Sequence, residues 1–194
     1  MIESHVDIDG PEQPIPCFIV HPADGGPHPA VIFYMDAPGI REELWDMARR
    51  IAGEGFYVVL PDLFYRFGTI RFPFRNERTK VVWRAIMEHL SNADVIDDTR
   101  SMLAYLDTQD TVKKGPKGCI GHCMSGRFIT AVAGSFPKDF GAAASLYGVA
   151  IVTRQENSSH RLVKHIEAEM YYGFAEVDET VPDYVVPTLQ RELD

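Results

Sequence analysis

The sequence predicts an α/β protein: a mostly parallel sheet with helices on both faces, built as a single domain over residues 1–194. Two observations lead there. From residue 30 onward, short apolar runs bounded by Gly, Pro and Asp alternate with segments of helical periodicity, the pattern of parallel strands joined by helical crossovers. No Ser/Gly/Pro-rich linker or internal repeat divides the 194 residues, a length that one hydrophobic core can serve. Apolar residues at 45% and charged residues at 24% are ordinary globular values, which sets aside disordered and membrane-embedded classes.

Taken in order, the strand-like runs are PCFIVHP (16–22), AVIFYM (30–35), FYVVLP (56–61), GCIG (118–121), GAAASLYG (141–148) and AEMYYGF (168–174). Helical spacing is read over 41–55, with Leu44, Ala48 and Ile51 on one face, over 92–109 and over 124–137. Residues 65–91 make a longer connection rich in Arg and aromatics. Its second half, from Glu77, has helical spacing at Val81, Val82, Ala85, Ile86 and Leu90. Near the end, Pro187 fits a first helical turn, and Val186, Leu189 and Leu193 fall on one face.

A net charge of -9 repels a phosphate backbone, so no nucleic-acid partner is expected despite the arginines at 66, 71, 75, 78 and 84. No apolar run approaches the ~20 residues of a membrane helix, and the N-terminus shows neither a basic nor an apolar leader region. A cytoplasmic location is therefore expected, with no membrane partner, no cofactor and no metal. Three cysteines suggest no disulfide framework. Cys119 and Cys123 would stand about 13 Å apart on an extended strand, too far to bridge. Cys17 and Cys119 read as small core residues.

Cys123 reads differently. The strand KGCIG runs into Gly121-His122-Cys123-Met124-Ser125-Gly126, and a helix follows at once. A nucleophile flanked by small residues on a sharp strand-to-helix turn is the G-x-nucleophile-x-G elbow of α/β hydrolases. The helix N-terminus beyond it would favour the attacking thiolate. Ser125 as nucleophile fits poorly, because Cys123 rather than glycine stands two residues before it. A merely structural cysteine on the elbow is the alternative.

The blocks GHCMSGRF, YMDAPGIREELWDMARRIAGEGFYVVLPDLFYR and YYGFAEVDETVP together resemble the dienelactone hydrolases: a cysteine elbow, a strand-three loop and an acid loop, in that order, across nearly the whole chain. The resemblance implies the α/β-hydrolase fold and cleavage of a small-molecule ester or lactone by a Cys-His-Asp triad through an acyl-enzyme. It implies Cys123 as nucleophile, Asp178 as triad acid, and the N–H groups of Ala37 and Met124 as the oxyanion hole. Asp36 matches a glutamate that touches the resting thiol in the family's best-known member. An Asx-turn role is the alternative for Asp178, and Asp62 reads as structural. In this fold the triad histidine follows the acid, yet His5, His21, His28, His89, His122, His160 and His165 all precede Asp178. The chain is therefore expected to be C-terminally truncated, lacking the last strand and helix, and to expose a sheet edge through which it would aggregate or form a homodimer. His122, His160 and Arg78 are the pocket candidates, with Arg71, Arg75 and Arg84 as weaker ones. A non-catalytic remnant that binds a small ligand or a protein partner is the competing reading.

Overall fold

The computed structural model describes residues 1–72, 74 and 76–193; Arg75 lies outside the described residues. Seven strands, β1 (Ile2–Ile8), β2 (Ile15–His21), β3 (Ala30–Tyr34), β4 (Tyr57–Pro61), β5 (Lys117–His122), β6 (Phe140–Leu146) and β7 (Glu169–Gly173), form one sheet in the order β1-β2-β4-β3-β5-β6-β7. β1 and β2 make an antiparallel hairpin, β2 is antiparallel to β4, and the other neighbours are parallel. Strands β2 to β7 match the six apolar runs to within two residues. β1 does not announce itself: at the sheet edge its IESHVDI is mostly exposed, so no apolar run marks it.

The central strands β3 and β4 are buried throughout. This is why AVIFY and YVVLP read as continuous apolar runs rather than alternating ones. Helix α1 (Glu42–Gly53) packs on β2 and β4 through Leu44, Ala48 and Ala52. Helix α4 (Gly126–Ser135) packs on β5 and β6, with α3 (Asn92–Thr108) against it. Tyr34 on β3 shares a 2.7 Å hydrogen bond with Thr99 of α3 deep in this core. Successive strands lie on opposite sides of β3, β4 to one side and β5 to the other. The crevice beyond the carboxyl ends of β3 and β5 is thus the topological switch point, where open α/β sheets place their sites.

Two helices bury other faces than their spacing suggests. Helix α2 (Glu77–His89) begins at the predicted residue under an Asn76 capping box. Yet Val81 and Val82 are 67% and 48% exposed, because the helix meets the core through Ile86, Met87 and the following Leu90. Helix α5 (Val185–Leu193) buries Val185 and Leu189 against Ile151 and Val163, while Val186 and Leu193 stay exposed. The helix starts one residue before Val186, so the buried stripe is the i, i+4 pair 185 and 189.

Arg66 of the Arg-rich connection is drawn inward. Its guanidinium donates to both carboxylate oxygens of the fully buried Asp98, at 2.7 and 2.8 Å, and Tyr65 adds a third hydrogen bond. Asp62 is structural, as expected: it accepts the Phe64 N–H and pairs with Arg71 at 2.7 Å. Among the described residues no helix is long and apolar enough to cross a membrane.

Candidate active site

Register sets the site. Tyr34 near the end of β3 pairs with Gly121 near the end of β5, so the Asp36–Arg41 turn and the Cys123–Ser125 turn leave the sheet side by side. The close approach explains the small residues. A Cβ on Gly121 would lie 2.8 Å from Ser125 Cβ, and one on Gly126 would lie 2.3 Å from Gly148 Cα, both closer than real atoms pack. Ser125 is fully buried and donates its hydroxyl proton to the Met35 carbonyl, riveting the elbow to the end of β3. That contact occupies the Ser125 hydroxyl proton in a buried position.

Cys123 itself has φ 53°, in the left-handed region that non-glycine residues seldom enter. The other two such residues among those described, Tyr147 and Ala150, lie just beyond β6. They shape a loop whose Val149 N–H donates to the Cys123 carbonyl at 3.0 Å. Three uncommon backbone conformations held in one corner mark over-determined geometry, the condition under which strain persists at a functional site.

The backbone N–H groups of Met124 and Ala37 lie close enough to the Cys123 sulfur to pull its pKa down. Its pKa is nevertheless raised. Burial is the largest cause, the Asp36 and Asp178 carboxylates add to it, and the two N–H groups only partly oppose them. Desolvation and two nearby negative charges thus work against the thiolate that the helix N-terminus favours. Cys17 and Cys119 are core thiols, each 3% exposed, and burial pushes both well up.

Asp36 does not spend its carboxylate on the thiol. Arg41 grips it with two parallel hydrogen bonds, Nη1 to Oδ1 at 2.5 Å and Nη2 to Oδ2 at 2.8 Å. Asp178 follows β7 in a turn where the Thr180 N–H (2.9 Å) and hydroxyl (2.6 Å) both donate to Oδ1, which holds its pKa down. The Asx-turn geometry is thus present. Oδ2 carries no hydrogen bond among the described residues, and the carboxylate stands close enough to act on the Cys123 charge. A cavity of about 390 Å³ opens beside it, walled by Phe174, Val177, Val181 and Pro182.

The histidines are scattered. Among the described residues none hydrogen-bonds Cys123 or Asp178. His122 turns its ring edge-on to Phe33 at 5.7 Å, and burial, the main cause, lowers its pKa. His160 shares a 2.7 Å hydrogen bond with Ser158. Arg78 is exposed on the first turn of α2, and no contact among the described residues joins it to Cys123. Arg41 is the site residue missed by sequence reasoning. Its only signal is a basic residue at the end of the tight turn DAPGIR, five positions after Asp36.

A strained elbow at the switch point of a mostly parallel sheet, with two N–H groups converging on its side chain, defines the class of α/β hydrolases. The chain belongs to the dienelactone hydrolase family, whose model matches residues 15–194. Two relatives carry the name "Putative carboxymethylenebutenolidase". One, from Synechocystis, is 24% identical over 168 residues, covering 85% of this chain and 68% of the relative; the other, from Methylorubrum extorquens, is 24% identical over 137 residues, covering 71% and 46%. A solved structure from Klebsiella pneumoniae described as "Putative Dienelactone Hydrolase" superposes with a TM-score of 0.87 at 22% identity, covering 99% of this chain and 80% of that one.

Proposed function

We propose that this chain acts on a carboxylic ester or lactone, with Cys123 as the attacking atom. The observation that carries the reading is the strained elbow that sets Cys123 beside the end of β3, where the N–H groups of Ala37 and Met124 act on its sulfur. The sulfur forms a bond to the carbonyl carbon, the thiol proton passes to solvent, and the developing oxyanion takes up those two N–H groups. The C–O bond then breaks, and the departing alkoxide takes a proton from solvent and leaves as the alcohol. Water cleaves the resulting thioester, returning the thiol and releasing the acid. Asp178 is assigned as the acid of the site through its unbonded Oδ2, and His122, kept neutral by burial, as a residue of the pocket rim.

The test uses p-nitrophenyl acetate, whose phenolate leaves without needing a proton. The wild-type chain is expected to release p-nitrophenolate, and Cys123→Ala to lose that release. Iodoacetamide should label Cys123 well ahead of Cys17 and Cys119, as followed by peptide mass spectrometry. Equal labelling of the three thiols in folded protein would overturn the assignment. A second reading, a non-catalytic cleft that binds a small ligand, draws on the raised thiol pKa; it gains only if Cys123 labels selectively while ester turnover is the same in wild type and Cys123→Ala.

A further inference from the structure

We infer that Arg41 is a positioning residue for the reaction at Cys123: by gripping Asp36 it neutralises the carboxylate beside the thiol and fixes the turn that aims the Ala37 N–H. The inference rests on the reading of Cys123 as nucleophile. Its first support is an oddity of helix α1. Arg41 is the N-cap residue, with extended backbone, and its carbonyl accepts the Leu44 and Trp45 N–H groups. N-caps are normally Ser, Thr, Asp or Asn, whose side chains accept from the first turn. An arginine has no acceptor to offer there, and none of its side-chain atoms caps α1. The side chain turns its two terminal nitrogens backward onto the preceding loop instead, while its Nε stands 3.4 Å from the exposed Glu43 carboxylate.

On that loop it makes three hydrogen bonds. Two go to Asp36, and a third runs from Nη1 to the Gly39 carbonyl at 3.0 Å. The Gly39 N–H in turn donates to the Asp36 carbonyl at 3.0 Å, closing the turn. Ala37 lies inside this closed loop, and the Ser125 hydroxyl holds its upstream end through Met35. The Ala37 N–H is thus fixed from both sides. A bidentate fork has the geometric specificity for this task; a point charge does not.

The charge matters as much as the geometry. The pair is four-fifths buried, with side-chain exposures of 21% for Arg41 and 16% for Asp36, so its field is poorly screened. The groups that face the thiol are Asp36 and Asp178, which disfavour the thiolate, and the Met124 and Ala37 N–H groups, which favour it. Asp36 and Arg41 act with opposite signs on the adjoining His122. Removing the guanidinium would leave Asp36 unbalanced next to the nucleophile.

The experiment follows Cys123 alkylation by iodoacetamide from neutral to alkaline pH, alongside p-nitrophenyl acetate turnover. Arg41→Gln is expected to move the alkylation profile to higher pH, lowering the rate at neutrality about tenfold, which is one pKa unit of thiolate. Asp36→Asn in the same chain should return the profile to that of the wild type. Arg41→Lys keeps the charge and loses the fork: its profile should stay near wild type while kcat falls about tenfold with KM little changed. An unchanged profile in Arg41→Gln, or a shift that Asp36→Asn does not relieve, would overturn the inference. If Arg41→Gln does not fold, Asp36→Asn alone decides, since it must lower the profile. Should wild-type Cys123 label no faster than Cys17 and Cys119, the nucleophile reading itself fails, and that is seen before any variant is made.

Discussion

The corner that holds the thiol and the corner that holds the acid are built by opposite means. Around Cys123 the backbone is fixed by contacts from distant segments: Ser125 to Met35, Val149 to Cys123, and Gly126 against Gly148. Around Asp178 the contacts are local, from Thr180 two residues on and from the Val181 N–H to the Asp178 carbonyl at 3.1 Å. Val177 beside it is 84% exposed. Long-range contacts between buried elements form only when the whole fold does, so the elbow should be as stable as the core. A turn that bonds mainly to itself can adjust without unfolding anything else. Cys123 and the backbone around it are thus preorganised, and the Asp178 loop is the part with freedom to adapt.

The sharpest way to break this contrast is to crowd the elbow. Gly126→Ala places a methyl 2.3 Å from Gly148 Cα, where backbone rather than a flexible side chain must yield. Overpacking of this kind costs about 1–3 kcal/mol or more. Urea denaturation should show a loss at the upper end of that range, with Cys123 alkylation altered as well. A stability unchanged within error would show that the elbow is looser than its geometry implies. Ser125→Ala is the next step down. It leaves the buried Met35 carbonyl without its donor, at a cost of about 1–3 kcal/mol, and frees the upstream end of the Ala37 turn. A fall in kcat larger than the stability loss alone accounts for would tie that rivet to the reaction.

The same contrast explains what could be read from the chain. The elbow was legible because its demands are steric: two glycines and a small serine around Cys123 fit only a tight strand-to-helix turn. The sheet was legible where strands are buried on both faces, as in AVIFY and YVVLP. β1 was not, because an exposed edge strand has no apolar run to show. Helical period located α2 and α5 but not their buried faces, since period alone does not say which residues meet a neighbour, and Val81 and Val82 meet none. The thiol's pKa is pushed up, against the pull toward thiolate that a helix N-terminus suggests. A helix N-terminus is visible in a sequence, whereas the burial of Cys123 and the approach of Asp36 and Asp178 exist only in the fold. Arg41 was invisible for the same reason: nothing in DAPGIR says that the arginine turns back rather than out.

The smallest expected effect tests the acid corner. Thr180 holds the Asp178 carboxyl below the usual carboxylate range, first through its hydroxyl and then through its N–H. Thr180→Val removes the hydroxyl bond and keeps the N–H, so the Asp178 pKa should rise toward the ordinary value without reaching it, as read by NMR titration of the side-chain carboxyl. The sign of the linked stability follows. A carboxylate whose folded pKa is depressed stabilises the fold above its unfolded pKa and loses that contribution as pH falls through the folded value. Thr180→Val should therefore narrow the difference between stability at neutral and at acid pH. The change is small because Asp178 is largely open to water, where screening weakens every such interaction. Near-neutral stability should barely move, while the elbow substitutions cost whole kilocalories. If Thr180→Val instead destabilised the fold as much as Ser125→Ala, the acid loop would be part of the rigid frame and the contrast between the two corners would fail.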